Sequence, residues 1–162
     1  MARILIVGCG CRGRELAGAL MARGHIVRGT TRREAGELAI ERAGVEPVIA
    51  DPYRLATLTP KLDGVSVLCW LLGSAVGEPE DVAALHGPRL ETLLLKLVDT
   101  HVRGIVYEAG GSAPPGLLTQ GADLVRRAQE TFQMPVHVAE RDPSDRAGWL
   151  ADMTAGVDVV LS

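Results

Sequence analysis

The sequence predicts a three-layer α/β fold. A doubly wound parallel sheet of about six strands, in the order 3-2-1-4-5-6, lies between helices on both faces. Three observations carry this expectation. Short β-rich runs alternate with longer helical patterns along the whole chain, which implies parallel strands joined by helical crossovers. The first run, Ile4–Val7, is apolar without alternation, as a strand covered on both faces must be. Gly8, Gly10 and Gly13 then stand where that run gives way to an alanine- and leucine-rich stretch. Right-handed crossovers leave few topologies, and the doubly wound order is the one two βαβαβ halves build.

The elements follow in order. Ile4–Val7 is the first strand, and Glu15–Ala22 is a helix that Gly24 ends. His25–Thr30 is the second strand. Thr31-Arg32-Arg33-Glu34 has the T-x-x-E capping-box pattern, so a helix starts there. Val45–Ala50 is a third strand, interrupted by Pro47, with a brief helix over Arg54–Leu58. Val65–Trp70, Gly104–Tyr107 and Pro135–Val138 are the fourth, fifth and sixth strands. Long helices fill Pro88–Thr100 and Leu117–Thr131, and a last one begins near Ser144. Two glycine- and proline-rich segments, Gly73–Pro79 and Gly110–Gly116, follow the fourth and fifth strands. Both belong at the strand ends where open α/β sheets bind ligands.

Composition narrows the function. The chain has 162 residues, 47% hydrophobic and 23% charged, as a single soluble domain does. One domain over 1–162, with no separate substrate domain, is expected. The net charge of −3 gives no basic field for nucleic acid, and no polybasic run addresses a membrane. The cysteines Cys9, Cys11 and Cys69 are too few for a disulfide framework, so a reduced, cytoplasmic chain is expected. No second cysteine pair or histidine cluster completes a metal site around Cys9 and Cys11. No G-x-S-x-G elbow and no P-loop motif is present.

Gly8-Cys9-Gly10-Cys11-Arg12-Gly13 matches G-x-G-x-x-G in the context that motif requires, after a strand and at the start of a helix. Gly8 permits the tight turn, Gly10 lets backbone approach a pyrophosphate, and Gly13 lets the helix pack closely. The free N–H groups of Cys11 and its neighbours, at the positive helix end, then hold the anion. Arg12 or Arg14 adds a charge-assisted contact. At the end of the second strand, NAD-specific folds place an acid for the ribose 2′-hydroxyl. This chain has Thr31, Arg32 and Arg33 there, which suit a 2′-phosphate, so NADP is expected over NAD. The same missing acid counts against an S-adenosylmethionine-dependent methyltransferase.

These pieces resemble the short-chain dehydrogenase/reductase superfamily, in particular its atypical and extended NAD(P)-binding members. The resemblance rests on "ILIVGCGCRGRELAGAL", "HIVRGTTRR", Ala50-Asp51-Pro52, "GVSVLCWLLGSA" and "GIVYEAGG", which span about the first two-thirds of the chain. It implies a Rossmann fold, adenine contact at Asp51 and Pro52, and cofactor contact along Leu71, Leu72 and Gly73. It also implies dimerisation through the helices near 88–100 and 117–131. The chain departs from the family at its catalytic motif. Only Lys61 and Lys96 are lysines, and neither stands four residues after a tyrosine, so the Tyr-x-x-x-Lys pair is missing. Tyr107, at the end of the fifth strand, is the one weak candidate for a substitute proton donor, and His86 lies on the same edge. The expected function is that of an NADP(H)-binding, oxidoreductase-like protein with a possible small-molecule substrate, or else a non-catalytic NADP sensor. Cys9 and Cys69 end neighbouring strands, which places a redox-sensitive thiol pair under the phosphate as a further expectation.

Overall fold

A computed structural model describes residues 1–162. Its six strands are β1 (Arg3–Val7), β2 (Ile26–Thr31), β3 (Glu46–Ile49), β4 (Val67–Trp70), β5 (Gly104–Glu108) and β6 (Val136–Ala139). They form one parallel sheet in the order β3-β2-β1-β4-β5-β6, as the alternation of patterns predicts. In the central register Ile6 stands between Gly29 of β2 and Cys69 of β4. The helices are α1 (Cys11–Ala22), α2 (Glu37–Arg42), α3 (Leu55–Leu58), α4 (Pro79–Leu85), α5 (Pro88–Leu97), α6 (Pro115–Phe132) and α7 (Arg146–Leu161). No helix is long and apolar enough to cross a membrane.

The alternation of side chains along each strand builds two cores. Leu5 and Val7 face a cluster that also holds Trp70, Tyr107 and leucines of α5, with α6 above it. Ile4 and Ile6 face the opposite cluster, with Leu16 of α1 and Trp149 and Met153 of α7. Strands buried on both faces explain the unbroken apolar runs. The apolar excess of α5 has the same cause, because Leu90, Leu93, Leu94 and Leu97 are buried against the sheet. Leu95 and Val98 remain exposed on its outer side.

Three local expectations need correction. The capping box does not form. Thr31 is the last residue of β2, and its hydroxyl exchanges hydrogen bonds with the backbone of Arg33. The chain then enters a 3₁₀ turn over Glu34–Gly36 with Arg33 as its cap and no side-chain cap bond. Gly36 folds directly against the Thr31 side chain, where a Cβ would strike the hydroxyl. Secondly, α1 begins at Cys11 rather than Glu15, so Arg12 and Gly13 lie inside its first turn. Thirdly, α4 occupies residues to which the sequence pattern assigns no element, apart from Pro79 at the end of the first glycine- and proline-rich segment. Pro79 sits at its start, with Glu80 and Asp81 in the first turn, which suits the helix dipole.

Candidate functional site

A cleft of about 550 Å³ opens beyond the carboxyl ends of β1, β2 and β4. This is where the strand order reverses, the position at which doubly wound sheets bind ligands. Its floor is the glycine turn, and the three glycines have three different reasons to be there. Gly8 has φ of +88°, and a Cβ there would run into the Leu71 carbonyl. A Cβ on Gly13 would lie 3.0 Å from the Gly8 carbonyl oxygen and 3.4 Å from Ile6 Cγ2, so α1 packs against β1 only without one. A Cβ on Gly10 would meet nothing within 4 Å. Space is therefore kept open above Gly10 although nothing in the fold requires a glycine there.

Hydrogen bonds fix the turn. Gly8 donates to Thr30 Oγ1 at 3.2 Å, Cys9 donates to the Thr30 carbonyl at 3.4 Å, and Gly10 donates to the Gly8 carbonyl at 2.9 Å. The amides of Cys11, Arg12 and Gly13 have no acceptor in the protein, and no acidic side chain or cap serves that helix end. Three free donors thus stand together at the positive end of a twelve-residue helix, an arrangement that favours an anion.

The side chains divide differently from the sequence expectation. Arg12 lines the cleft, but its guanidinium is bound to Glu108, with Nη2 at 3.2 and 3.1 Å from the two carboxylate oxygens. What Arg12 leaves free is its backbone N–H, and the free guanidinium of the first turn belongs to Arg14, which also lines the cleft. Arg32 lines the outer end with its guanidinium 5.4 Å from the centre of the Tyr53 ring, a cation–π distance, and it has no carboxylate partner. Thr31 lines the cleft with its hydroxyl turned to Arg33, while Arg33 is exposed outside the lining. Asp51 also stays outside it. Its Oδ1 accepts the Tyr53 N–H at 3.0 Å, and the lining at that point is Pro52 and Tyr53.

Leu71 and Leu72 form the wall after β4. Gly73 does not line the cleft. It is buried, its N–H donates to Glu108 Oε1 at 2.9 Å, and its carbonyl accepts the Ala113 N–H at 2.9 Å. The two glycine-rich segments thus interlock, with Gly73 against Gly110 and Ser74 Oγ accepting the Ser112 N–H at 3.1 Å. Glycines are needed there because two backbones touch.

Tyr107 does not face the cleft. It is fully buried, and its hydroxyl lies 2.6 Å from His86 Nδ1. His86 Nε2 is 3.1 Å from the Leu72 carbonyl, which can only accept, so Nε2 carries the proton and Nδ1 accepts the Tyr107 hydroxyl proton. Burial pushes the tyrosine above its ordinary value, with the Glu108 charge acting in the same sense, and lowers His86. Tyr107 is therefore a core residue whose proton is already bonded.

The thiol expectation is likewise corrected. Cys9 packs its sulfur on Gly29 of β2, and Cys69 is fully buried in β4. Burial pushes their thiols up to about 11 and about 12, the opposite of activation. Cys11 is the exposed cysteine.

Sequence reasoning missed Glu108 and Trp149. Trp149 Nε1 donates to Glu108 Oε2 at 2.8 Å, and the Arg12 guanidinium lies 5.6 Å from the Trp149 ring centre. The available signal was a glutamate ending an otherwise apolar central strand, since a carboxylate is rarely fully buried without partners.

No protein-family model and no curated protein matches the sequence. Solved structures do match. UDP-glucuronic acid 4-epimerase from Bacillus cereus, in complex with NAD, superposes with a TM-score of 0.67 at 14% identity, over 88% of this chain and 60% of that one. UDP-glucose 4-epimerase from Thermotoga maritima, with UDP-glucose, gives 0.68 at 12% identity over 84% and 54%. A protein of Bacillus halodurans described as a candidate NAD-dependent epimerase/dehydratase gives 0.72 at 14% identity over 88% and 71%. What is shared is the Rossmann fold. At these identities the likeness carries the architecture of the domain, and the chain spans little more than half the length of the two epimerases. The Rossmann architecture that the resemblance implies is the part these structures bear out.

Proposed function

We propose that this Rossmann domain binds a nicotinamide dinucleotide, with the diphosphate above Gly10 on the free amides of Cys11, Arg12 and Gly13. The observation that carries the reading is the open Cβ position of Gly10 beside three unpartnered donors. A dinucleotide laid outward from there runs toward Arg32, Pro52 and Tyr53 at one end, and along Leu71 and Leu72 at the other. The test is Gly10→Ala. Its methyl group meets no protein atom, so stability should fall by no more than about 1 kcal/mol, the scale of a changed helix cap. Dinucleotide affinity by calorimetry should fall at least about tenfold, because the methyl stands where the diphosphate approaches. Unchanged affinity removes the reading.

NADP(H) is the preferred form in this reading, although the Bacillus cereus relative was solved with NAD. Arg32 lies at the ribose end and has no acidic partner. A charge-assisted bond to a 2′-phosphate is worth roughly 1.5–3 kcal/mol. Arg32→Ala should therefore weaken NADPH by about ten- to a hundredfold and NADH by less than about threefold. Equal losses would return the preference to NAD.

A bound nicotinamide supplies hydride chemistry, so a small reductase acting on a carbonyl compound remains the first reading without the Tyr-x-x-x-Lys pair. The burial of Tyr107 favours the alternative, a non-catalytic sensor of nicotinamide state. A carbonyl-substrate screen following NADPH absorbance separates them. Turnover identifies the enzyme, and binding without turnover the sensor.

A further inference from the structure

Glu108 is the last residue of β5 and is fully buried. Its Oε1 accepts the Gly73 N–H at 2.9 Å and Arg12 Nη2 at 3.2 Å. Its Oε2 accepts the Trp149 indole N–H at 2.8 Å and the same Arg12 nitrogen at 3.1 Å. Three separate elements meet on this one carboxylate: the first turn of α1, the segment after β4, and the first turn of α7. Two of the three are walls of the cleft.

The chemistry requires a carboxylate. Every group facing Glu108 is a donor, and only an ionised acid offers acceptors on both oxygens. Glutamine would present an NH₂ to one set of donors. The guanidinium opposite supplies the compensating charge that a buried carboxylate needs. Gly73 belongs to the same device, since a Cβ there would lie 2.9 Å from Oε1.

Resting on the nucleotide reading above, we propose that Glu108 is a positioning residue for the diphosphate site. It does not line the cleft. It clamps Arg12 of the glycine turn to Gly73, the residue just after the Leu71–Leu72 wall, and so sets the position of the free amides of Cys11, Arg12 and Gly13 relative to that wall. Arg12 is then a strut whose charge Glu108 consumes, while Arg14 remains the unpaired cation at the turn.

The test compares fragments of the ligand on the folded protein. ADP carries the diphosphate and 2′-AMP does not, so a defect confined to the turn distinguishes them and a general loosening of the fold does not. In Glu108→Gln the affinity for ADP and NADP should fall about tenfold or more, while that for 2′-AMP changes less than about twofold. Arg32→Ala should give the reverse pattern, losing 2′-AMP and keeping ADP. Arg12→Lys keeps the charge at a partly exposed position but loses the guanidinium plane that lies over Trp149. It should show a smaller loss for ADP alone, and it serves if Glu108→Gln does not fold. Equal losses for both fragments, no loss of ADP, or tighter ADP through a released Arg12, would each overturn the assignment. A wild-type protein that binds neither fragment nor dinucleotide fails at the earlier step and rejects the nucleotide reading itself.

Discussion

His86 has no solvent exposure, and both its ring nitrogens are bonded inside the protein. Burial lowers its pKa, so the folded protein holds it neutral while the unfolded chain protonates it near the ordinary value of about 6.5. The folded-state value is the lower one, so the unfolded chain binds the extra proton. The stability His86 contributes is then present above about pH 6.5 and lost as pH falls toward the folded value. His86→Asn cannot take up that proton. Its stability deficit against wild type, measured by urea denaturation, should narrow between pH 7.5 and pH 5.5. His25 is lowered too, but it is common to both proteins and drops out of the difference. A gap that widens with acid would mean that His86 is charged in the fold.

Among the elements, α6 shows most directly how a core position is chosen. Gly121 lies on its buried side, and a Cβ there would strike the Tyr107 hydroxyl. The Tyr107–His86 pair therefore exists only because α6 yields room. Overpacking of this kind typically costs 1–3 kcal/mol. Gly121→Ala should lose about that much, read from the urea midpoint at unchanged slope, despite the better helix propensity of alanine. A gain in stability would show that the tyrosine moves aside at no cost. The same scale separates what the sequence reveals from what it hides. Continuous apolar runs made β1 and β4 legible, and the spacing of Gly8, Gly10 and Gly13 gave the backbone half of the site. The capping box failed because Thr31 found a nearer partner in Arg33, and a local pattern carries no record of such competition. The side-chain half was hidden for a related reason. Arg12 and Glu108 are 96 residues apart, and nothing local marks them as partners.

For the whole molecule, the two faces of the sheet take different shares of the work. One cluster is closed by α5 and α6, the other by α1 and α7. A homodimer across α5 and α6 remains a proposal. It would bury Leu95 and Val98 beside an outer face of α6 that carries Asp123, Arg126, Arg127 and Glu130. Such a surface is more polar than stable dimer interfaces usually are, so any association should weaken with salt. Light scattering at micromolar concentration should give a dimer mass at low salt that declines as salt rises. A monomer mass throughout removes the proposal.

Trp149 lends the cleft an optical gauge. The protein has only two tryptophans, and this one holds its indole against both Glu108 and the Arg12 guanidinium. Any occupant that pulls on the first turn of α1 must disturb the charges around that ring. Emission from an unlabelled sample should therefore respond to whatever shifts that turn.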